Sequence, residues 1–311
     1  INQNHMKYFI ITVDTEGDNL WGYRKGDEIK TENSLYIPRF QELCNKFGYK
    51  PVWLTNYEMA NDIRYVNYIK KELVKGNCEV GIHIHAWNNP PMYNLNAKYS
   101  GNPYLIEYPV DIMQKKFAVT YNLIKEKIGI YPKSHRAGRW VMNSDYFKIL
   151  KDFGILVDCS YTPYVSWERF PGETIPSGSD YTNVVTHNHF IHNVLEVPMT
   201  IRKIHFDFNG NIKHFFKTLL YGDIKWMRPA ITSLLDMKKV IKCIAKEHET
   251  DYVEFMIHSS ELMPGGSPYF PNEQAIEQLY DMMQQLFEYA SSIGFKGITL
   301  TDYAKLHIYK R

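Results

Sequence analysis

Two short stretches of this 311-residue chain carry side chains able to hold a metal ion. From Cys78 to Ile84 the apolar residues alternate, the pattern of a buried strand. Side chains two apart on a strand share a face, so His83 and His85 point the same way. Two imidazoles so placed can grip one divalent ion, and Asn88-Asn89-Pro90-Pro91 stops the strand just beyond them. The other stretch, Asp14-Thr15-Glu16-Gly17-Asp18, ends the apolar run from Tyr8 to Val13. One carboxylate with two imidazoles is a common catalytic metal set that leaves a position open for water. Glu16, Asp14 and Asp18 are the candidates for that carboxylate. A further carboxylate can take the water's proton, and a histidine can protonate a leaving amine. The parts describe a hydrolase for an amide.

The elements that must position these residues alternate in kind. Strand-like runs at 8–13, 51–55, 78–84, 132–140 (a short strand leading into a loop), 155–157, 252–258 and 297–300 are separated by helical spacing in which Gly48, Gly76, Gly129, Gly154 and Gly294 mark the ends. This rhythm predicts an α/β fold with a parallel sheet, open or closed into a barrel, and places the site at the C-terminal strand ends. Asp14, Glu16, His83, His85, Arg136, Asp158 and His258 all fall there. Residues 161–237 break the rhythm with prolines, glycines and a histidine-rich patch. They read as an elaborated loop and hairpin insertion within a single catalytic domain spanning 7–311, since no linker composition bounds them. Residues 1–6 read as a tag remnant or disordered N-terminus.

Composition limits the function classes. Apolar residues at 44% and charged residues at 23% are those of an ordinary globular protein. A formal charge of +2 without a basic stripe argues against nucleic acid as a partner. The four cysteines lack CxxC spacing and fit reduced core thiols. No apolar run reaches the ~18 residues of a membrane span. With no hydrophobic signal segment at the start, the expected location is cytoplasmic.

In order along the chain, the sequence resembles the polysaccharide deacetylases, carbohydrate esterase family 4, also called the NodB homology domain. Thr12-Val13-Asp14-Thr15-Glu16-Gly17 resembles the first motif, usually Thr-Phe-Asp-Asp-Gly, with Asp14 matching the base. Thr15 stands where that motif has its metal-binding Asp, and Glu16 fits an Asp-x-Asp variant. Gly81-Ile82-His83-Ile84-His85-Ala86-Trp87 is similar to the second motif as found in the branches for surface-polysaccharide and lipid-linked-sugar biosynthesis. Arg136-Ala137-Gly138-Arg139-Trp140 resembles the third, Phe255-Met256-Ile257-His258 the fifth, and Asp158-Cys159-Ser160 more loosely the fourth, which would put Asp158 beside His258.

The resemblance implies a distorted seven-stranded (β/α) barrel that removes an N-acetyl or N-formyl group from an amino sugar. By the same resemblance Glu16, His83 and His85 bind one divalent metal, zinc first, with cobalt, nickel or manganese as alternatives. Asp14 is then the base, Arg136 its orienting partner and His258 the acid. Trp87 and Trp140, next to the motifs, are candidate pocket walls for a nucleotide-linked, lipid-linked or oligosaccharide amino sugar. His187 and His189 repeat the His83/His85 spacing without a carboxylate motif and read as a polar hairpin face. Rival readings are an inactive glycan-binding member of the same fold and another metal-dependent amidohydrolase.

Overall fold

The apolar run near the start becomes the strand around which the sheet is built. The structure, a computed structural model, describes residues 6–309 apart from 19, 25, 206–217 and 221. Of the segment 1–6 only Met6 is therefore described. In chain order the elements begin with β1 (Lys7–Thr15), α1 (Ile37–Lys46), β2 (Val52–Thr55), α2 (Tyr57–Asn61), α3 (Ile63–Val74) and β3 (Glu79–Ile84). There follow α4 (Val110–Ile128), β4 (Ser134–Ala137), α5 (Ser144–Asp152) and β5 (Val157–Asp158). The irregular region supplies β6 (His189–Ile191), β7 (Val194–Glu196), β8 (Ile201–Ile204) and β9 (Asp223–Trp226). The rhythm resumes with α6 (Leu234–Lys246), β10 (Tyr252–His258), α7 (Glu273–Ser292), β11 (Phe295–Gly297) and α8 (Leu300–Ile308).

Nine strands form one sheet in the order β10-β1-β2-β3-β4-β5-β7-β6, with β11 pairing the start of β1. Strands β10 through β7 on that path are parallel, and they curl into a half-barrel. The strand count thus departs from the expected seven-stranded barrel. The surplus has a local cause: His192 and Asn193, at φ 49° and 68°, make a two-residue turn that folds β6 back antiparallel onto β7. β8 and β9 pair as a separate two-stranded sheet. The last strand also ends earlier than expected, because the Thr299 side chain accepts the Asp302 N–H and caps α8 at Leu300.

Both faces of the sheet are covered, as the near-continuous apolar runs of β1 and β10 require. On one face Ile10, Val52, Leu54, Val157, Leu195 and Tyr252 pack with Leu300, Tyr303 and Ala304 of α8. On the other, Phe9, Ile11, Val13, Trp53 and Ile82 meet Phe40, Ile69, Phe117, Phe147 and Leu286 of the surrounding helices. Among the described residues, no helix is long and apolar enough to cross a membrane.

Candidate metal centre and its cleft

Strand register brings the predicted residues together. Asp14 lies level with His258 on one side and Leu54 on the other, Leu54 is level with Gly81, and His83 is level with Arg136. Neighbours level with one another in a sheet share a face, and so do residues two apart along a strand. Asp14, Glu16, His83, His85, Arg136 and His258 are therefore all directed to the inner face at the C-terminal end. Thr15 takes the opposite face, where its hydroxyl donates to the Val13 carbonyl at 2.9 Å.

Donor atoms of Glu16, His83 and His85 all lie within 4.8 Å of one another, and among the described residues no other group of three such donors comes together. Glu16 Oε2 is 2.6 Å from His85 Nε2 and 3.4 Å from His83 Nε2. The chemistry of the set suits a divalent cation. His83 Nδ1 stands 2.8 Å from the Arg136 carbonyl oxygen, which can only accept, so Nδ1 carries a proton and Nε2 is the nitrogen turned toward Glu16, the one that would ligate an ion. Burial pushes the Glu16 carboxyl up, but the two histidines outweigh it and hold the group well below the ordinary carboxylate range. Asp18 does not join the cluster, because its carboxylate accepts the Glu32 N–H at 2.8 Å.

Arg136 is wholly buried and organises the second carboxylate. Its Nη1 donates to Asp14 Oδ1 at 2.5 Å and its Nε to the Cys159 carbonyl at 3.1 Å. Nη2 donates to Thr12 Oγ1 at 2.7 Å and also to Glu254 Oε1. Burial raises the Asp14 carboxyl, yet Arg136, His83 and His258 together keep it below its usual value. Asp14 Oδ2 is left facing His258 Nε2 at 3.9 Å and His83 Nε2 at 4.0 Å. Glu254, buried on the same face, is pushed up to about 7 because desolvation outweighs the attraction of Arg136.

The surroundings of His258 correct one expectation. Asp158 does not approach it but accepts from His135 Nδ1 at 2.6 Å, with Ser160 Oγ donating at 2.9 Å. His135 is level with Asp158 and one residue before Arg136, so this network occupies the outer face, where His135 Nε2 meets the Tyr146 hydroxyl of α5 at 2.8 Å. His258 Nδ1 is instead flanked by Glu261 Oε2 and Arg228 Nη2, each at 3.3 Å. Arg228 Nη2 also donates to Glu261 Oε1 at 3.1 Å. Sequence reasoning missed both partners. A signal for Glu261 was present, three residues after the strand end: its carboxylate accepts the His258 N–H at 2.8 Å, as in a capping box. Arg228 had none.

These groups open onto a cleft of about 570 Å³. Trp87 lines it with its ring centroid 4.3 Å from that of His85. Trp140 lines it too, with the Arg136 guanidinium carbon 4.9 Å from its ring centre. Arg139 and Trp140 sit at φ 58° and 66°, a left-handed conformation costly for side chains of their size. Gly138 lets this turn approach β3, since a Cβ there would come within 2.3 Å of the Ile84 carbonyl oxygen. The irregular region builds the facing wall with Trp167, Phe170, Trp226, Arg228 and Ile231. His187 and His189 stay apart from all this, His189 Nδ1 turning to the His187 carbonyl at 3.2 Å.

No family model and no curated protein matches the chain. Several solved structures resemble it. A putative polysaccharide deacetylase from Mycobacterium smegmatis shares 14% identity, covers 96% of each chain and has a TM-score of 0.48. A family 4 acetyl xylan esterase from Clostridium thermocellum in complex with a cobalt ion shares 14% identity over 96% of this chain and 91% of its own, with a TM-score of 0.43. A CE4 family pseudoenzyme from Bacillus anthracis shares 15% identity over 97% of this chain and 66% of its own, with a TM-score of 0.42.

Proposed function

We propose that this chain is a metal-dependent N-deacylase of the polysaccharide deacetylase type. It removes an acetyl or formyl group from an amino sugar in surface-polysaccharide or glycolipid synthesis, with residues 7–311 acting as one catalytic domain in the cytoplasm. The observation that carries the reading is the gathering of Glu16, His83 and His85 within 4.8 Å, beside an Asp14 held by Arg136 and faced by His258. Glu16, His83 and His85 would hold the ion, which when bound supplies Lewis acidity toward a water and an acyl carbonyl. Asp14 uses Oδ2, the oxygen that Arg136 leaves free, to take a proton from the attacking water. Arg136 keeps that carboxylate ionised and aimed. His258 gives a proton from Nε2 to the departing amine while its Nδ1 proton rests against Glu261. Trp87 and Trp140 wall the sugar site.

The test is metal content by elemental analysis, followed by mass spectrometry for acyl loss from a panel of nucleotide- and lipid-linked amino sugars. Asp14→Asn and His258→Ala are each expected to slow turnover by about 10²–10⁴-fold, the usual contribution of acid–base catalysis. Near-wild-type rates in both would end these assignments. A second reading, glycan binding without turnover, is favoured by Thr15, which faces away from the site where the family's first motif has a ligand. A purified chain that takes up no stoichiometric metal would select it.

A further inference from the structure

The three donors of the metal set are not held in the same way. His83 is fixed through its own ring, with Nδ1 against the Arg136 carbonyl. Glu16 is fixed through its backbone: its N–H donates to Ser259 Oγ at 3.1 Å, and its carbonyl accepts from Asn33 Nδ2 at 2.7 Å. His85 has no such ring partner. Its Nδ1 is buried and unpartnered among the described residues. A ligating imidazole ordinarily has its second nitrogen engaged, and that bond sets the ring's orientation. The placement of His85 therefore depends on the chain that follows it.

That chain, from His85 to Pro91, is gripped at two places. Lys116 Nζ, on α4, donates to the carbonyls of Ala86, Asn89 and Pro91 at 3.0, 2.6 and 2.8 Å. Glu58, on α2, takes the side chain of Asn88, its Oε2 accepting from Asn88 Nδ2 at 3.0 Å. The other oxygen of the same carboxylate, Oε1, accepts the Gly17 N–H at 2.8 Å. Gly17 directly follows Glu16, and a Cβ there would fall 2.3 Å from Ile29 Cγ2, so the turn is closely packed where Glu58 meets it. Lys116 ties the segment to α4, whereas Glu58 ties it to the loop that carries Glu16.

Topology gives Glu58 this reach. β1 and β3 deliver the donors, and β2 lies between them without supplying one. α2 begins at the end of β2, where the Asn56 N–H donates to the Thr15 carbonyl at 2.9 Å and Asn56 Oδ1 accepts the Tyr57 N–H at 2.7 Å. We infer that Glu58 is a positioning residue for the ion, a strap that fixes His85 relative to Glu16 by holding Asn88 and Gly17 on one carboxylate. This rests on the metal site of the proposed function and not on deacylation.

The experiment measures zinc dissociation constants by competition with a chromophoric chelator, with urea unfolding of each variant to establish that it is folded. Glu58→Ala is expected to weaken zinc by about 10–100-fold, the usual cost of losing an outer partner. Glu58→Gln should stay within about threefold of the parent chain. Its amide oxygen can accept the Gly17 N–H, and its nitrogen can donate to Asn88 Oδ1, which is buried and unpartnered among the described residues. Asn88→Ala should cost about tenfold in the parent chain but less than about threefold when added to Glu58→Ala, because both changes remove one link. A Gln variant as weak as the Ala variant would overturn the strap in favour of the carboxylate's charge. The full cost of Asn88→Ala in both backgrounds would overturn it too. A parent chain that binds no zinc would overturn the metal reading and this inference with it. Zinc bound equally by parent and Glu58→Ala would overturn this inference alone. If the affinities split as expected but no N-acyl amino sugar is hydrolysed, the deacylase reading fails and the strap stands.

Discussion

His83 and His85 at the end of β3, and His187 and His189 beside the β6–β7 hairpin, share a spacing but not a setting. The first pair is buried, at 2% and 7% exposure, in a parallel sheet whose next-but-one strand delivers Glu16. The second pair begins an antiparallel hairpin at the sheet's edge, and the carboxylate nearest His187, Glu249, is 3.9 Å away on a side chain that is 84% exposed. Spacing alone puts two imidazoles on one face in both places. The difference lies in what stands level with them: a parallel neighbour ends at the same rim and adds its own polar terminus, whereas a hairpin partner only brings the chain back. The gathering of candidate metal donors therefore follows topology more than motif.

The strongest way to break this comparison is through the ion itself. His83→Ala or His85→Ala should reduce metal affinity by more than the ~10–100-fold that loss of an outer partner typically costs. Joint replacement of His187 and His189 by alanine should leave metal content unchanged after dialysis. Equal metal loss from the hairpin variant would erase the distinction.

Stability sharpens it next. Arg136→Met leaves Asp14 and Glu254 buried without their shared partner and should cost about 3–5 kcal/mol in urea unfolding. At the hairpin, Ser144→Ala removes an exposed contact with His192 Nε2 and should stay within about 0.5 kcal/mol.

A gentler effect than the loss of Arg136 concerns pH. Glu254 titrates near the ordinary value of 4.5 when unfolded and at about 7 when folded, so between those values the native state holds a proton the unfolded state lacks. Stability should then fall as pH rises through that window and level off above it. Glu254→Gln should flatten the slope by about 1–3 kcal/mol across the window in thermal or urea unfolding. An unchanged slope would mean that Arg136 keeps Glu254 ionised throughout.

Much of the fold was legible because its signals are local. Glycines past helix ends, the apolar run from Tyr8 to Val13 and the clear amphipathic helix before Gly294 give strand and helix order directly. The exceptions have local causes as well. Thr299 caps a helix where the run to Leu300 resembles a strand, and a His192-Asn193 turn is not among the strong hairpin dipeptides. At the site, Glu16 was readable only as one of three candidate acidic ligands, since separating it from the others requires knowing that the Glu32 N–H engages Asp18 and Arg136 engages Asp14.

By itself the sequence determined which residues share a face: Asp14 with Glu16, and His83 with His85, because alternation along a strand is a property of the backbone alone. Only the tertiary structure decided that those two faces meet around one point, that Asp158 serves His135 on the far side, and that Arg228 and Glu261 flank His258. Such pairings depend on strand register and on where the irregular region packs. Both are set by contacts between residues up to hundreds of positions apart, and no local pattern encodes them.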